Sequence, residues 1–149
     1  EADKLATAHT LDDEAQTILL NILHGDILRI IREKPKTDKK HPKLVQRIKP
    51  FCEIPEKEVA LYAYVKKLKF QDKPCPYSAE ALRNDIRFFL NRMEEKHSGM
   101  KFTILKAAEK VRRNLKEPFE KEVLKECLKC GEPTTQRICK ACQMLQELK

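Results

Sequence analysis

The sequence predicts an α/β chain: the end of a parallel-sheet domain, then a helical extension, then a small zinc module. Three observations carry this. A strand-like segment, Leu5–Ala8, runs directly into a capped amphipathic helix. Helical periodicity governs most of the residues between 55 and 115. Two C-x-x-C pairs close the chain within sixteen residues, Cys127 to Cys142.

Leu5–Ala8 has nothing before it to pair with, and the sequence opens at Glu1 without an initiator methionine. The chain is therefore expected to be the C-terminal portion of a longer protein. Thr10 is an N-cap, with Asp13 as the capping-box acid three residues on. Ala15, Ile18, Leu19, Ile22 and Leu23 then recur on one helical face. Gly25 interrupts the pattern, and Ile27, Leu28, Ile30 and Ile31 extend it. The run from Glu33 to Lys43, with two prolines and many lysines, predicts a mobile loop. Leu44–Lys49 is a short strand that stops at Pro50. Pro55 fits the first turn of a helix reaching about Leu68.

Two prolines flank Cys75 in Pro74-Cys75-Pro76-Tyr77, so that turn is not helical. Ser78 caps the next helix, whose buried face is expected at Leu82, Ile86, Phe89, Leu90 and Met93. Gly99 marks the turn after it. The following helix places Ile104, Ala108, Val111 and Leu115 inward and stops before Pro118. The expected division is 1–50 for the sheet-domain portion, 51–119 for the helical part and 120–149 for the zinc module.

Cys127-x-x-Cys130 and Cys139-x-x-Cys142 are eight residues apart. Each pair can form a knuckle, and two knuckles bring four thiolates to one tetrahedral ion. The segment is too short to bury a core, so a metal must supply its folding energy. With four protein ligands the site is structural, not catalytic. Zinc is the expected metal. A rubredoxin-type iron is its rival, and redox-active dithiols are the alternative without metal.

Net charge is +8, and its distribution matters more than its size. Nine basic residues between Arg29 and Lys49 face only Glu33 and Asp38, so this stretch carries +7. Such a patch suits a phosphate backbone or, equally, a solvated loop. No apolar run spans a bilayer and no signal peptide is visible, which with the C-x-x-C usage points to the cytoplasm.

His9, Asp12 and Asp13 fall where a strand ends and a helix begins, the usual ligand position in open α/β sheets. Adjacent carboxylates there can hold Mg2+ on nucleotide phosphates. First-turn acids also simply favour the helix dipole. The wording Ala6-Thr7-Ala8-His9-Thr10-Leu11-Asp12-Asp13 resembles the T-G-H-x-x-D-D motif of PP-loop ATP pyrophosphatases, with Ala8 in place of the glycine. The likeness continues in Asn21-Ile22-Leu23-His24-Gly25-Asp26-Ile27-Leu28-Arg29, in Arg47-Ile48-Lys49-Pro50 with Glu58-Val59-Ala60-Leu61-Tyr62-Ala63, in Pro74-Cys75-Pro76-Tyr77-Ser78 and in the terminal cysteines. Five motifs in order make the chain similar to the tRNA 2-thiolation group of the PP-loop superfamily, C-terminal portion.

That resemblance implies an adenine-nucleotide-hydrolase-like sheet domain and a two-step reaction. ATP adenylates O2 of a tRNA uridine, and sulfur then displaces AMP. It implies Asp12, Asp13 and Cys75 as catalytic residues, with His9, Asp12 and Asp13 around ATP and its Mg2+. Cys75 becomes the third ligand of a 4Fe–4S iron–sulfur cluster, the other two cysteines and the S-G-G-x-D-S loop lying upstream in the family. Arg29, Arg47 and Lys49 meet ATP or tRNA phosphates. Without the resemblance, Cys75 reads as an ordinary thiol, Arg29 as a cation near a helix end, and Arg47 and Lys49 as a solvated strand edge. Cys52 reads as core. The implied partners are tRNA and a ubiquitin-like sulfur carrier protein, with a homodimer left open and no membrane. Whether an anticodon or a T-loop uridine is modified also stays open. The rival from another class is a non-catalytic, zinc-containing RNA-binding or assembly module.

Overall fold

The computed structural model describes residues 2–71, 73, 82–115 and 124–148. Strand β1 (Lys4–Ala6) leads into helix α1 (Leu11–Leu23). Helix α2 (Ile27–Arg32) follows, and after a long loop strand β2 (Gln46–Ile48). β2 pairs parallel with β1, Leu5 opposite Arg47, so the expected parallel sheet is present as two strands. Helices α3 (Glu56–Val65), α4 (Leu82–Lys96) and α5 (Met100–Asn114) come next. The chain closes with an antiparallel pair, β3 (Lys125–Glu126) and β4 (Pro133–Thr134), and helix α6 (Lys140–Glu147).

α1 is the centre of the packing. Leu11 and Ile18 meet Ile30, Leu105 and Ala108, while Ala15 meets Ile86 and Leu90. α2, α4 and α5 therefore gather on one helix, and the helical part shares its core with the segment that carries the sheet. The capping box forms as expected: the Asp13 carboxylate accepts from the Thr10 N–H at 2.9 Å and from its hydroxyl at 3.0 Å. Asp26 caps α2 by accepting from the Arg29 N–H at 2.9 Å. Pro55 stands one residue earlier than expected, as the N-cap of α3.

Several expected faces differ. Ile22 and Leu23 are exposed, because α1 turns its last turn away from α4 and α5. On α4, Ile86 and Leu90 are buried but Leu82 and Phe89 are not. On α5 the buried stripe is Lys101, Leu105, Ala108 and Arg112, while Val111 and Leu115 are exposed. Two long basic side chains occupy that stripe, which apolar periodicity does not reveal. No residue of α3 is buried. The Glu33–Lys43 loop is tied to β2: Lys49 N donates to Pro35 O at 2.8 Å, and Thr37 and Arg47 exchange hydrogen bonds. α5 ends at Asn114 with Leu115 as its C-cap, before Pro118 as expected, and the Pro74–Ser78 turn lies outside the described residues.

Candidate functional site

Three consecutive acids open α1, and each is held by a cation from a different element. Asp12 Oδ1 accepts from Lys101 Nζ of α5, and Oδ2 from the Glu56 N–H at 2.8 Å, the first residue of α3. Asp13 faces Arg83 of α4 at 3.7 Å while capping its own helix. Glu14 accepts from Lys49, just past β2, at 2.6 Å. The same ammonium also pairs with Glu33. The first turn of α1 is thus a junction that fixes the sheet, the loop and three helices around the carboxyl end of β1.

The pairs differ in exposure, and this decides what each can do. The Lys49 and Glu14 side chains are each 2% exposed. Asp12 and Lys101 are at 8% and 10%, and Asp13 and Arg83 at 38% and 43%. Lys49 is therefore not a solvated strand edge; its ammonium is paired inside with Glu14 and Glu33. Burial is tolerable because the charge is paired, although Glu14 Oε2 and Arg47 Nε find no hydrogen-bond partner among the described residues. Cys52 is buried nearby, and burial, reinforced by Glu14 and Glu53, pushes its thiol pKa up. That fits the core role expected of it.

The remaining expected residues separate. His9 is exposed beyond β1, its Nδ1 3.0 Å from the Thr7 hydroxyl. Arg29 is exposed and paired with Asp26 at 3.0 Å. Arg47 stands opposite Leu5 in the sheet and reaches Glu33 at 3.9 Å. Cys75 lies outside the described residues. Among the described residues the only group of three or more metal-ligating side chains is the terminal cysteine set. His9, Asp12 and Asp13 thus make no cation cage. Two carboxylates nevertheless match the way Mg2+ is bound, by one or two acids together with substrate phosphates.

Part of the +7 stretch is paired, with Asp26, Glu14 and Glu126 the acids that reach it from outside. Lys34 pairs with Asp38 at 2.7 Å, and Lys43 with Glu126 at 2.9 Å. Lys36, Lys39 and Lys40 remain exposed. Lys34 and Lys36 also line a cleft of about 350 Å³ with Arg112 and Arg113. Burial lowers the pKa of Arg112, whose guanidinium donates to the Glu33 carbonyl.

At the other end, Cys127, Cys130, Cys139 and Cys142 bring their sulfurs within 4.8 Å of one another. Cys130 and Cys139 are 3.6 Å apart. Four thiolates on zinc, with Zn–S about 2.3 Å, stand about 3.8 Å apart, so the donor set and its spacing fit that ion. The Cys139 N–H donates to Cys127 Sγ at 3.2 Å, and this hydrogen bond is the main reason that thiol is lowered to about 6. Its neighbour Cys130 is the main reason Cys142 is pushed up to about 12. Gly131 takes a left-handed turn at φ +72°, and Lys43 Nζ donates to its carbonyl at 2.9 Å, tying the module to the basic loop.

The chain thus carries an acidic helix start at the carboxyl end of a parallel strand and a separate four-cysteine cluster. Residues 1–94 match the model of the PP-loop domain, and the chain belongs to that family. The Methanocaldococcus jannaschii protein named "Probable sulfurtransferase" is 42% identical over 99% of this chain and 42% of its own length. The Haloferax volcanii tRNA 2-thiolation protein NcsA is 35% identical over 99% of this chain and 49% of its own. The solved U34-tRNA thiolase NcsA from Methanococcus maripaludis, with its 4Fe–4S cluster, superposes with a TM-score of 0.76 at 34% identity, covering 99% of this chain and 46% of that one. The chain spans about half the length of the relatives it matches.

Proposed function

We propose that this chain is part of an ATP-dependent tRNA uridine 2-thiolation enzyme. The likeness to the thiolase structure over 99% of the chain carries the reading. The likeness of the chain to relatives named cytoplasmic tRNA 2-thiolation protein 1, one of them from Danio rerio, supports a cytoplasmic setting. No described helix is long and apolar enough to cross a membrane.

A carbonyl oxygen is a poor leaving group. Adenylation by ATP turns uridine O2 into the leaving oxygen of AMP, and a sulfur nucleophile can then take its place. In this reading Asp12 and Asp13 bind Mg2+ with the ATP phosphates at the end of β1, and His9 lines the same edge. Arg29 and Arg47 are the phosphate contacts; Lys49 supports them from inside by fixing Glu14 and Glu33. Cys75 would be the third ligand of an iron–sulfur cluster, which would hold donor-derived sulfur deprotonated for the attack. Zinc on Cys127, Cys130, Cys139 and Cys142 holds the terminal module. The expected donor is a ubiquitin-like carrier with a C-terminal thiocarboxylate.

Position-resolved mass spectrometry of tRNA nucleosides from a deletion strain tests this. Loss of 2-thiouridine at one site, restored by the complete reading frame, is the expected result; full thiolation in the deletion strain contradicts it. In that complete protein, Cys75→Ala should bleach the cluster and stop thiolation while leaving fold and zinc content unchanged. A non-catalytic module predicts a reading frame without an S-G-G-x-D-S loop.

A further inference from the structure

Of the three cations on the first turn of α1, Lys101 joins the most elements. The Glu94 carboxylate accepts from the Gly99 and Lys101 N–H groups at 2.6 and 2.9 Å, which fixes the turn between α4 and α5. Lys101 is thereby set on the first turn of α5 with its side chain buried. Its Nζ donates to Asp12 Oδ1 and to Asn91 Oδ1, the latter at 2.7 Å. Asp12 Oδ2 accepts from the first amide of α3. The Asp12 carboxylate thus joins α1, α3 and α5, and the Lys101 ammonium carries the link on to α4.

An ionised carboxylate has about four acceptor sites, and two donors occupy two of them here. Acceptor capacity therefore remains on a side chain whose direction is already fixed. The Glu14–Lys49 pair is more deeply buried, and Asp13 gives Oδ2 to its helix cap while Oδ1 stays on the exposed side facing Arg83. The nearby ammonium also offsets the Asp12 charge, which would otherwise repel a triphosphate.

We infer that Lys101 is a positioning residue for Asp12, aiming its carboxylate at the nucleotide's metal-bound phosphates from the far side of the helical core. The inference rests on the reading of Asp12 as an ATP-site residue. A group held in place before the substrate arrives lowers the barrier, and a small misplacement is costly.

The test uses the complete reading frame with Lys101→Met, Asp12→Asn and the double variant. Three readouts are taken: turnover with KM for ATP and tRNA, thermal midpoint, and amide exchange at Glu56. Lys101→Met should lower kcat by about a hundredfold, leave the tRNA KM unchanged and expose the Glu56 amide to exchange. It should also lower the thermal midpoint, because Asp12 is left buried without its cation. The double variant should recover that midpoint but be no faster than Asp12→Asn, since the two residues act as one unit. Should Lys101→Met fail to fold, Lys101→Gln, which keeps a donor, carries the same test. Normal turnover in the Lys101 variant beside a slow Asp12→Asn overturns the inference alone. Normal turnover in Asp12→Asn overturns the ATP-site reading and the inference with it.

Discussion

The two ends of the chain solve opposite electrostatic problems. At the first turn of α1, three carboxylates meet three cations supplied by the protein itself. At the terminal module, four thiol sulfurs converge within 4.8 Å of one another. The body also has apolar contacts to build on, from Leu11 and Ile18 to Leu105 and Ala108. Within residues 124–148 only Cys127 and Cys139 are buried. The body is therefore held by side-chain packing and internal ion pairs, whereas in the proposed reading the module is held by a metal on its four cysteines.

The largest effect should follow from breaking the metal site. Apparent zinc binding in such small modules is worth about 10–16 kcal/mol and is their folding free energy. Cys130→Ser should unfold residues 127–142, drop the metal content from about one zinc per chain and leave α1 to α5 intact, as read by metal analysis and circular dichroism. Thiol ligands must lose protons to bind, so zinc retention should weaken as pH falls. Cys142, raised to about 12, makes proton release on metal uptake directly measurable.

On the body side, Lys49→Met should cost about 3–5 kcal/mol in denaturant unfolding, because Glu14 is left buried and unpaired. Lys49→Met with Glu14→Gln should recover much of that loss. Asp13→Ala removes the capping-box acceptor and should cost about 1 kcal/mol. The smallest structural effect belongs to the loop. Neutralising Lys36, Lys39 and Lys40 should leave stability unchanged and reduce the salt slope of tRNA binding by up to about 0.9 per lysine. Lys43→Ala should instead loosen the module, since its ammonium is committed to Glu126 and Gly131.

The cap at Thr10 and Asp13, the Gly25 break and the cysteine module were legible, because each depends on local chemistry or fixed spacing, whereas the pairing of β1 with β2 joins distant residues that nothing local marks. The charged junction was not legible either. Asp12 and Asp13 stood out as a motif, but Lys101 lies 89 residues away in sequence from its Asp12 partner, and nothing local marks it. Lys49 looked like one more cation in a basic run, yet Glu14 and Glu33 draw it inside. The α5 stripe was misplaced for the same reason. Lys101 and Arg112 are buried through pairing, and a hydrophobic pattern counts such positions as exposed.

Residue-resolved hydrogen exchange, before and after a strong chelator, tests the contrast most directly. Loss of protection throughout residues 125–147, with α1, α4 and α5 unchanged, is the predicted result. A metal-free module that keeps its protection, or a body that melts together with it, would contradict the account.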